Sequence, residues 1–227
     1  MANVTFAGSE LEGLDVADPA ASVRLLIPSP GARLIMPQWT GNEFLLGDGQ
    51  RPIIRTFTPR RWRPDALELD LEVVLHERGA TSNWVGTAER GDVAAISGTG
   101  RGYSIDPHAN SFLLAGDQTA IPAISQLIEA APVAIPVHTV VEIVAQDARQ
   151  PLPSHPRLSE QWVILQTNET PGSALLPAIL NTTIAPGTKV WAAGEAAAMH
   201  QIRRHLFDER GLSRSDATVR GYWKHGR

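Results

Sequence analysis

The 227-residue chain is 43% hydrophobic and 19% charged, enough apolar material for real cores and too structured a composition for disorder. Its net charge of −4 argues against nucleic acid as a partner, and its lack of cysteine excludes disulfides, iron–sulfur clusters and thiolate metal sites. The length is more than most single domains need and suits two of roughly 100 to 120 residues.

The opening Met-Ala-Asn-Val-Thr-Phe lacks the basic start and apolar stretch of a secretory leader. No apolar run approaches the roughly 20 residues of a membrane span. A soluble, cytoplasmic protein without a membrane partner is expected. Val4 to Ala7 reads as a short strand, and Ser22 to Ile27 as a clear one ended by Pro28 and the Pro30-Gly31 turn. Residues 31 to 50 read as an irregular loop. Ile53 to Trp62 reads as one strand with a bend near Pro59. Leu67, Leu69, Leu71 and Val73 alternate with Glu68, Asp70 and Glu72, the period of an antiparallel strand with one wet face. Asp92 to Ser97 gives a further strand. With little helical periodicity among them, residues 1 to 108 are expected to form a small antiparallel β-barrel or sandwich.

The pattern changes after Pro107. Ser111 to Ala115 is an apolar run suited to a strand covered on both faces, and Ile121, Ile124, Leu127 and Ile128 then follow helical spacing. Strands are expected at 133–144, 162–166 and 189–193, and helices around 172–180 and 195–210, with Gly211 as the final stop. Gln150 to Leu158 reads as a surface loop. Alternating strands and helices predict a doubly wound, mostly parallel α/β domain over residues 109–227.

Five stretches carry chemistry. Arg55-Thr-Phe-Thr-Pro-Arg60 sets two guanidinium groups beside an aromatic ring and hydroxyls, a set suited to a dinucleotide with a planar head such as a flavin. In an extended chain Arg55 and Phe57 share one face. The same hexapeptide also reads as a basic, solvated edge strand. His76 to Trp84 ends in small residues opening a helix, which leaves backbone N–H groups for a phosphate, although a plain turn with a packed tryptophan needs no ligand. Gly98-Thr-Gly-Arg-Gly102 departs from the Rossmann fingerprint, because Tyr103 stands where the third glycine belongs. Gly116-Asp117 and Gly194-Glu195 each end a strand and open a helix, where doubly wound sheets bind ligands. His200 and His205 lie off the spacing of a helical zinc motif and read as surface or packing residues, and Arg203 and Arg204 as a solvated helix face.

Taken together, these stretches resemble the siderophore-interacting protein family, NAD(P)H-dependent ferric-siderophore reductases related to ferredoxin reductases. Arg55 to Arg60 is similar to the family's Arg-x-Tyr-Thr-x-Arg flavin motif. His76 with Gly79-Ala-Thr-Ser-Asn-Trp84 resembles its flavin-phosphate segment. Leu113-Leu-Ala-Gly-Asp-Gln-Thr-Ala-Ile-Pro122, Trp191-Ala-Ala-Gly-Glu-Ala196 and Gly221-Tyr-Trp223 complete the series in order. Phe57 stands for the family's tyrosine, Gln118 for a glutamate and Ala80 for a proline.

The resemblance implies an FAD-binding β-barrel over 1–108 and an NAD(P)H-binding α/β domain over 109–227. FAD would be held by Arg55, Phe57, Thr58, Arg60, His76, Gly79, Thr81, Ser82 and Trp84. NADPH or NADH would be framed by Gly116, Asp117, Thr119, Gly194 and Glu195. The flavin would carry the chemistry without a protein acid or base and without a resident metal. A ferric siderophore or other ferric chelate would be the substrate, met by Arg24, Arg101 and Lys224, and the protein is expected to be a monomer. A flavin- or partner-binding protein without turnover, and a generic flavin or quinone reductase, stand as alternatives.

Overall fold

A computed structural model describes residues 1–76 and 79–226, which separate into two units, Met1–Gly102 and Tyr103–Arg227. The first unit contains β1 (Ala2–Ala7), β2 (Val23–Ile27), β3 (Gln38–Trp39), β4 (Phe44–Leu45), β5 (Ile53–Phe57), β6 (Pro59–Arg63), β7 (Glu68–Val73), α1 (Ala80–Thr87) and β8 (Ala95–Ile96). Its strands pair antiparallel in two three-stranded sheets, β1-β7-β6 and β5-β2-β8, and a short β3-β4 hairpin lies within the predicted loop. The stretch expected as one strand from Ile53 to Trp62 is therefore two. The chain leaves the β2 sheet at Thr58 and enters the β7 sheet at Pro59, whose missing N–H suits it to the first place of a strand.

One core joins both sheets: Val23, Leu25 and Ile27 meet Leu69 and Leu71, with Phe6, Phe57, Trp62 and Trp84 packed against them. Burying each such aliphatic side chain contributes about 1.5–3 kcal/mol. The alternation in β7 holds, except that Asp70 is buried, not wet. Arg63 grips its carboxylate with two donors at 2.6 and 2.8 Å, and the Thr5 hydroxyl across β1 donates at 2.8 Å. The Arg63 guanidinium holds the Asp70 carboxyl below the usual range. Leu67 precedes the strand in a left-handed conformation (φ 50°) that closes the turn from Pro64.

The second unit contains β9 (Ser111–Asp117), α2 (Ile121–Ala130), β10 (Val137–Ile143), β11 (Leu158–Ile164), α3 (Leu175–Leu180), β12 (Thr188–Glu195), α4 (Ala196–Arg204) and β13 (Ala217–Trp223). All five strands are parallel, in the order β11-β10-β9-β12-β13. The chain steps outward from β9 to β11, then returns to the other side of β9, so winding direction reverses between β9 and β12. That reversal is the switch point of a doubly wound sheet. Leu113, Ala115, Val190 and Ala192 face α3 and α4 through Leu175, Ile179, Met199 and Ile202. By alternation Phe112 and Leu114 face the opposite side, where the buried stripe of α2 packs on β9 and β10.

Strand β11 starts at Leu158, earlier than the apolar run at Trp162 predicts, and β13 has no counterpart among the predicted strands. After α4 the helix widens into one π turn, His205–Glu209, and Gly211 ends it at φ 69°. His205, expected on the surface or in packing, is buried: its Nδ1 lies 2.7 Å from Glu209, and its Nε2 accepts from Arg210 Nε at 2.9 Å. Among the described residues no helix is long and apolar enough to cross a membrane.

Candidate functional site

In the first unit, the small residues after His76 start α1 with Gly79 as its N-cap, and a glycine supplies no side chain to cap the helix. The first-turn N–H groups of such a helix favour an anion. Thr81 stands in that turn at 7% exposure, and its buried hydroxyl has no hydrogen-bond partner among the described residues. The neighbouring Ser82 hydroxyl accepts from the His76 N–H at 3.1 Å. A Cβ on Gly79 would stand 2.5 Å from the His76 ring and 3.0 Å from Ser82 Oγ, so glycine keeps this turn closed around the imidazole. Trp84, on the next turn, stacks on Phe6 with ring centroids 6.3 Å apart and planes 5° from parallel, fastening α1 to β1. Glu77 and Arg78 of this segment lie outside the described residues.

The Arg55–Arg60 stretch spans the crossing between the two sheets. Arg55 and Phe57 share a face, as alternation requires, opposite Leu25 and Val23. The Phe57 ring rests against the core, while Arg55 is exposed and its Nη1 donates to the Ile54 carbonyl at 2.9 Å. Thr58 is buried at the crossing, and Arg60 Nε lies 3.6 Å from the Glu72 carboxylate.

In the second unit the switch point is closed by two carboxylates. Asp117, at the end of β9, accepts from the Thr119 N–H (2.9 Å) and hydroxyl (2.5 Å), the Glu195 N–H (2.8 Å) and Trp223 Nε1 (2.8 Å). One side chain thus ties the ends of β9, β12 and β13. Burial pushes the Asp117 carboxyl up, against the pull of these donors. Glu195 caps α4 through the N–H groups of Ala197 (2.6 Å) and Ala198 (2.9 Å) and also accepts from the His225 N–H at 3.2 Å. Burial raises the Glu195 carboxyl, but the backbone donors outweigh it and leave it below its ordinary range.

Both glycines here answer to close approach. A Cβ on Gly116 would collide with the Ala193 carbonyl oxygen and stand 2.5 Å from Ala120 Cβ, and one on Gly194 would stand 2.6 Å from Asp117 Oδ2. The carboxylates are spent on protein donors, so what they present to a ligand is a fixed backbone floor. Trp223 and His225 are the members of this network that sequence reasoning did not assign. Trp223 lay inside a quoted motif, whereas nothing in the sequence marks His225.

The three cations expected at a substrate rim, Arg24, Arg101 and Lys224, are all exposed, the first two in the first unit and the third just after β13. Among the described residues no group of three or more His, Asp or Glu is arranged to hold a metal ion.

The family model described as siderophore-interacting FAD-binding domain matches residues 1–103, and that described as siderophore-interacting protein matches residues 109–226. The chain belongs to the siderophore-interacting protein family. A protein of Mycobacterium tuberculosis (strain ATCC 25618 / H37Rv) is 34% identical over 194 residues, 80% of this chain and 69% of the relative. The crystal structure of a siderophore utilization protein from T. fusca is 32% identical, with a TM-score of 0.85 over 99% of this chain and 87% of that one. The ferric vibriobactin reductase ViuB of Vibrio cholerae is 24% identical over 229 residues, 99% of this chain and 84% of the relative. The two units are the two halves of a ferredoxin-reductase-like fold.

Proposed function

We propose that this family member is an FAD-dependent reductase passing electrons from NAD(P)H to ferric siderophores or other ferric chelates and releasing Fe(II) inside the cell. The observation that carries the reading is the start of α1: an uncapped helix N-terminus beside a buried hydroxyl, Thr81 Oγ1, that lacks a protein partner. A buried hydroxyl without a partner costs about 1–3 kcal/mol, and a cofactor phosphate at this turn would satisfy it. These residues fit the phosphate end of FAD. The ferric vibriobactin reductase relative and the switch point of the parallel sheet support the remaining steps.

FAD, when bound, supplies the relay between a two-electron hydride donor and a one-electron ferric acceptor. The chain's own residues bind and orient. Thr81 and the first turn of α1 meet phosphate, with His76 lying over Gly79. Ser82 and Trp84 hold that turn in place through His76 and Phe6. Arg55 and Arg60 supply cations for phosphate or ribose, Phe57 an apolar wall for the flavin ring, and Thr58 a hydroxyl near its edge. At the switch point Gly116 and Gly194 keep the floor low enough for a nucleotide, and Asp117, Thr119 and Glu195 keep it rigid. Arg24, Arg101 and Lys224 would attract an anionic chelate. No iron ligands from the protein are needed, because a substrate that leaves after reduction needs none that persist.

The test is the absorbance spectrum of protein dialysed after FAD loading, followed by anaerobic addition of NADH or NADPH and then a ferric siderophore. Bound yellow flavin should bleach and then recolour, with Fe(II) trapped by a ferrous-specific chelator. A protein that retains no flavin, or a flavin that stays oxidised with both nucleotides, overturns the reading.

A further inference from the structure

We propose that the hydride donor is NADH, and that Asp147 selects it over NADPH. The inference rests on the reading that the switch-point crevice takes a nicotinamide nucleotide. The two donors differ at one place, the 2′ oxygen of the adenosine ribose, which is a hydroxyl in NADH and a doubly ionised phosphate in NADPH. In a doubly wound sheet the pyrophosphate lies at the turn after the first strand, and the adenosine ribose is met by residues leaving the second. Here the first strand is β9 and the second is β10.

The chain leaves β10 at Ile143 and runs Val144-Ala-Gln-Asp-Ala-Arg149; beside it β11, whose Ile164 pairs with Ile143, leaves through Leu165 to Ser173. Val144 is 62% and Ile164 38% exposed, so apolar side chains stay open near both strand ends. Of the charges on 144–149 and 165–173, with Glu142 at the end of β10 included, three are carboxylates and one is a guanidinium; at the far end of the β10–β11 loop Arg157 donates to the Ala134 carbonyl. Two carboxylates are spent. Glu142 accepts from the N–H groups of Gly172, Ala174 and Leu175 at 2.7–3.0 Å, and Glu169 from the Gln166 N–H and the Ser173 hydroxyl.

Arg149, the guanidinium of these segments, is also committed. It pairs with Glu160 at 2.8 Å and lies over the Trp162 ring, 5.0 Å from its centroid, while Glu160 fixes that indole by accepting from its Nε1. Asp147 is left. It is exposed and makes no hydrogen bond or ion pair with a described residue. A carboxylate at this position accepts a hydrogen bond from a ribose 2′ hydroxyl and repels a 2′ phosphate. No uncommitted cation on either loop offsets that repulsion.

The test uses the full chain loaded with FAD. Anaerobic flavin bleaching gives kcat/KM for each nucleotide, and calorimetric titration with NAD+ and NADP+ gives affinity without turnover. NADH should be preferred about 10- to 100-fold, the range of one hydrogen bond to a charged group. Asp147→Ala should lower NADH use and NAD+ affinity about tenfold, and Asp147→Arg should raise those for the phosphorylated pair at least about tenfold. Since Asp147 is exposed and makes no hydrogen bond or ion pair with a described residue, both variants should melt with the parent. Arg149→Ala should leave the ratio unchanged. A parent that prefers NADPH, a ratio unmoved by either Asp147 substitution, or loss of NADP+ binding on Arg149→Ala overturns the inference alone. Failure of both nucleotides to bind overturns the reading beneath it.

Discussion

Asp117→Asn tests whether one carboxylate holds the switch point together. The substitution keeps size and shape but exchanges one acceptor oxygen for an NH2 group. If the amide nitrogen takes the place of Oδ2, the Glu195 N–H and Trp223 Nε1 lose their acceptor and face another donor. If it takes the place of Oδ1, the same happens to both donors of Thr119. Either way two donors are stranded in a site only 8% exposed. At about 1–3 kcal/mol each the gross loss is about 2–6 kcal/mol. Part is offset because the variant no longer buries a charge, the same burial that pushes the Asp117 carboxyl up. A net loss of about 2–4 kcal/mol follows, which at about 2–4 °C per kcal/mol lowers the melting transition of the second unit by about 4–16 °C. Thermal unfolding followed by circular dichroism and tryptophan emission measures it, and the emission should also shift as Trp223 loosens. A transition within about 1 °C of the parent would refute the argument.

Thr81→Val should leave the flavin-free protein as stable as the parent or slightly more so, since it removes a buried hydroxyl with no partner, yet weaken FAD about 5- to 10-fold, measured by flavin fluorescence on titration. Gly116→Ala should cost about 1–3 kcal/mol in urea unfolding, because the methyl falls on the Ala193 carbonyl and Ala120. Asp70 has its folded carboxyl held down by Arg63, so its contribution is complete above the unfolded value near about 3.9 and is lost as pH falls through the folded value. Acid unfolding of the parent should therefore steepen below about pH 4, and Asp70→Asn should flatten that limb while lowering stability at neutral pH.

The sequence showed the order of elements wherever burial was one-sided or complete. The alternation of β7 and the apolar runs of β9 and β12 are direct records of what covers them. The misses lie where burial leaves no pattern. Strand β11 is the edge of its sheet, and its first turn of chain, Ser159-Glu-Gln161, is exposed and so reads as loop. Strand β13, also an edge, has Arg220 and Gly221 in its middle, and neither announces a strand. The break at Thr58 is a choice between two sheets, which no local signal encodes.

The candidate site was legible as motifs and opaque as geometry. The glycines at 79, 116 and 194 and the acids beside them were visible, but not that Ser82 and Trp84 brace the helix while Thr81 alone keeps a hydroxyl to offer. Nor do neighbouring residues show that Asp117 and Glu195 accept from Trp223 and His225, because those contacts span 106 and 30 positions of chain.

The strand order of the second unit also governs how the polypeptide emerges from the ribosome. β9 is the middle strand, and its neighbour β10 follows directly, but its other flank waits for β12, the second-last strand to be synthesised. Throughout that interval a nascent chain carries a strand with a buried apolar centre, Phe112 to Ala115, and one open edge, the kind of surface that recruits chaperones or a wrong partner. Truncations ending before Thr188 should therefore accumulate as aggregates, whereas those ending just beyond Glu195 keep that edge covered.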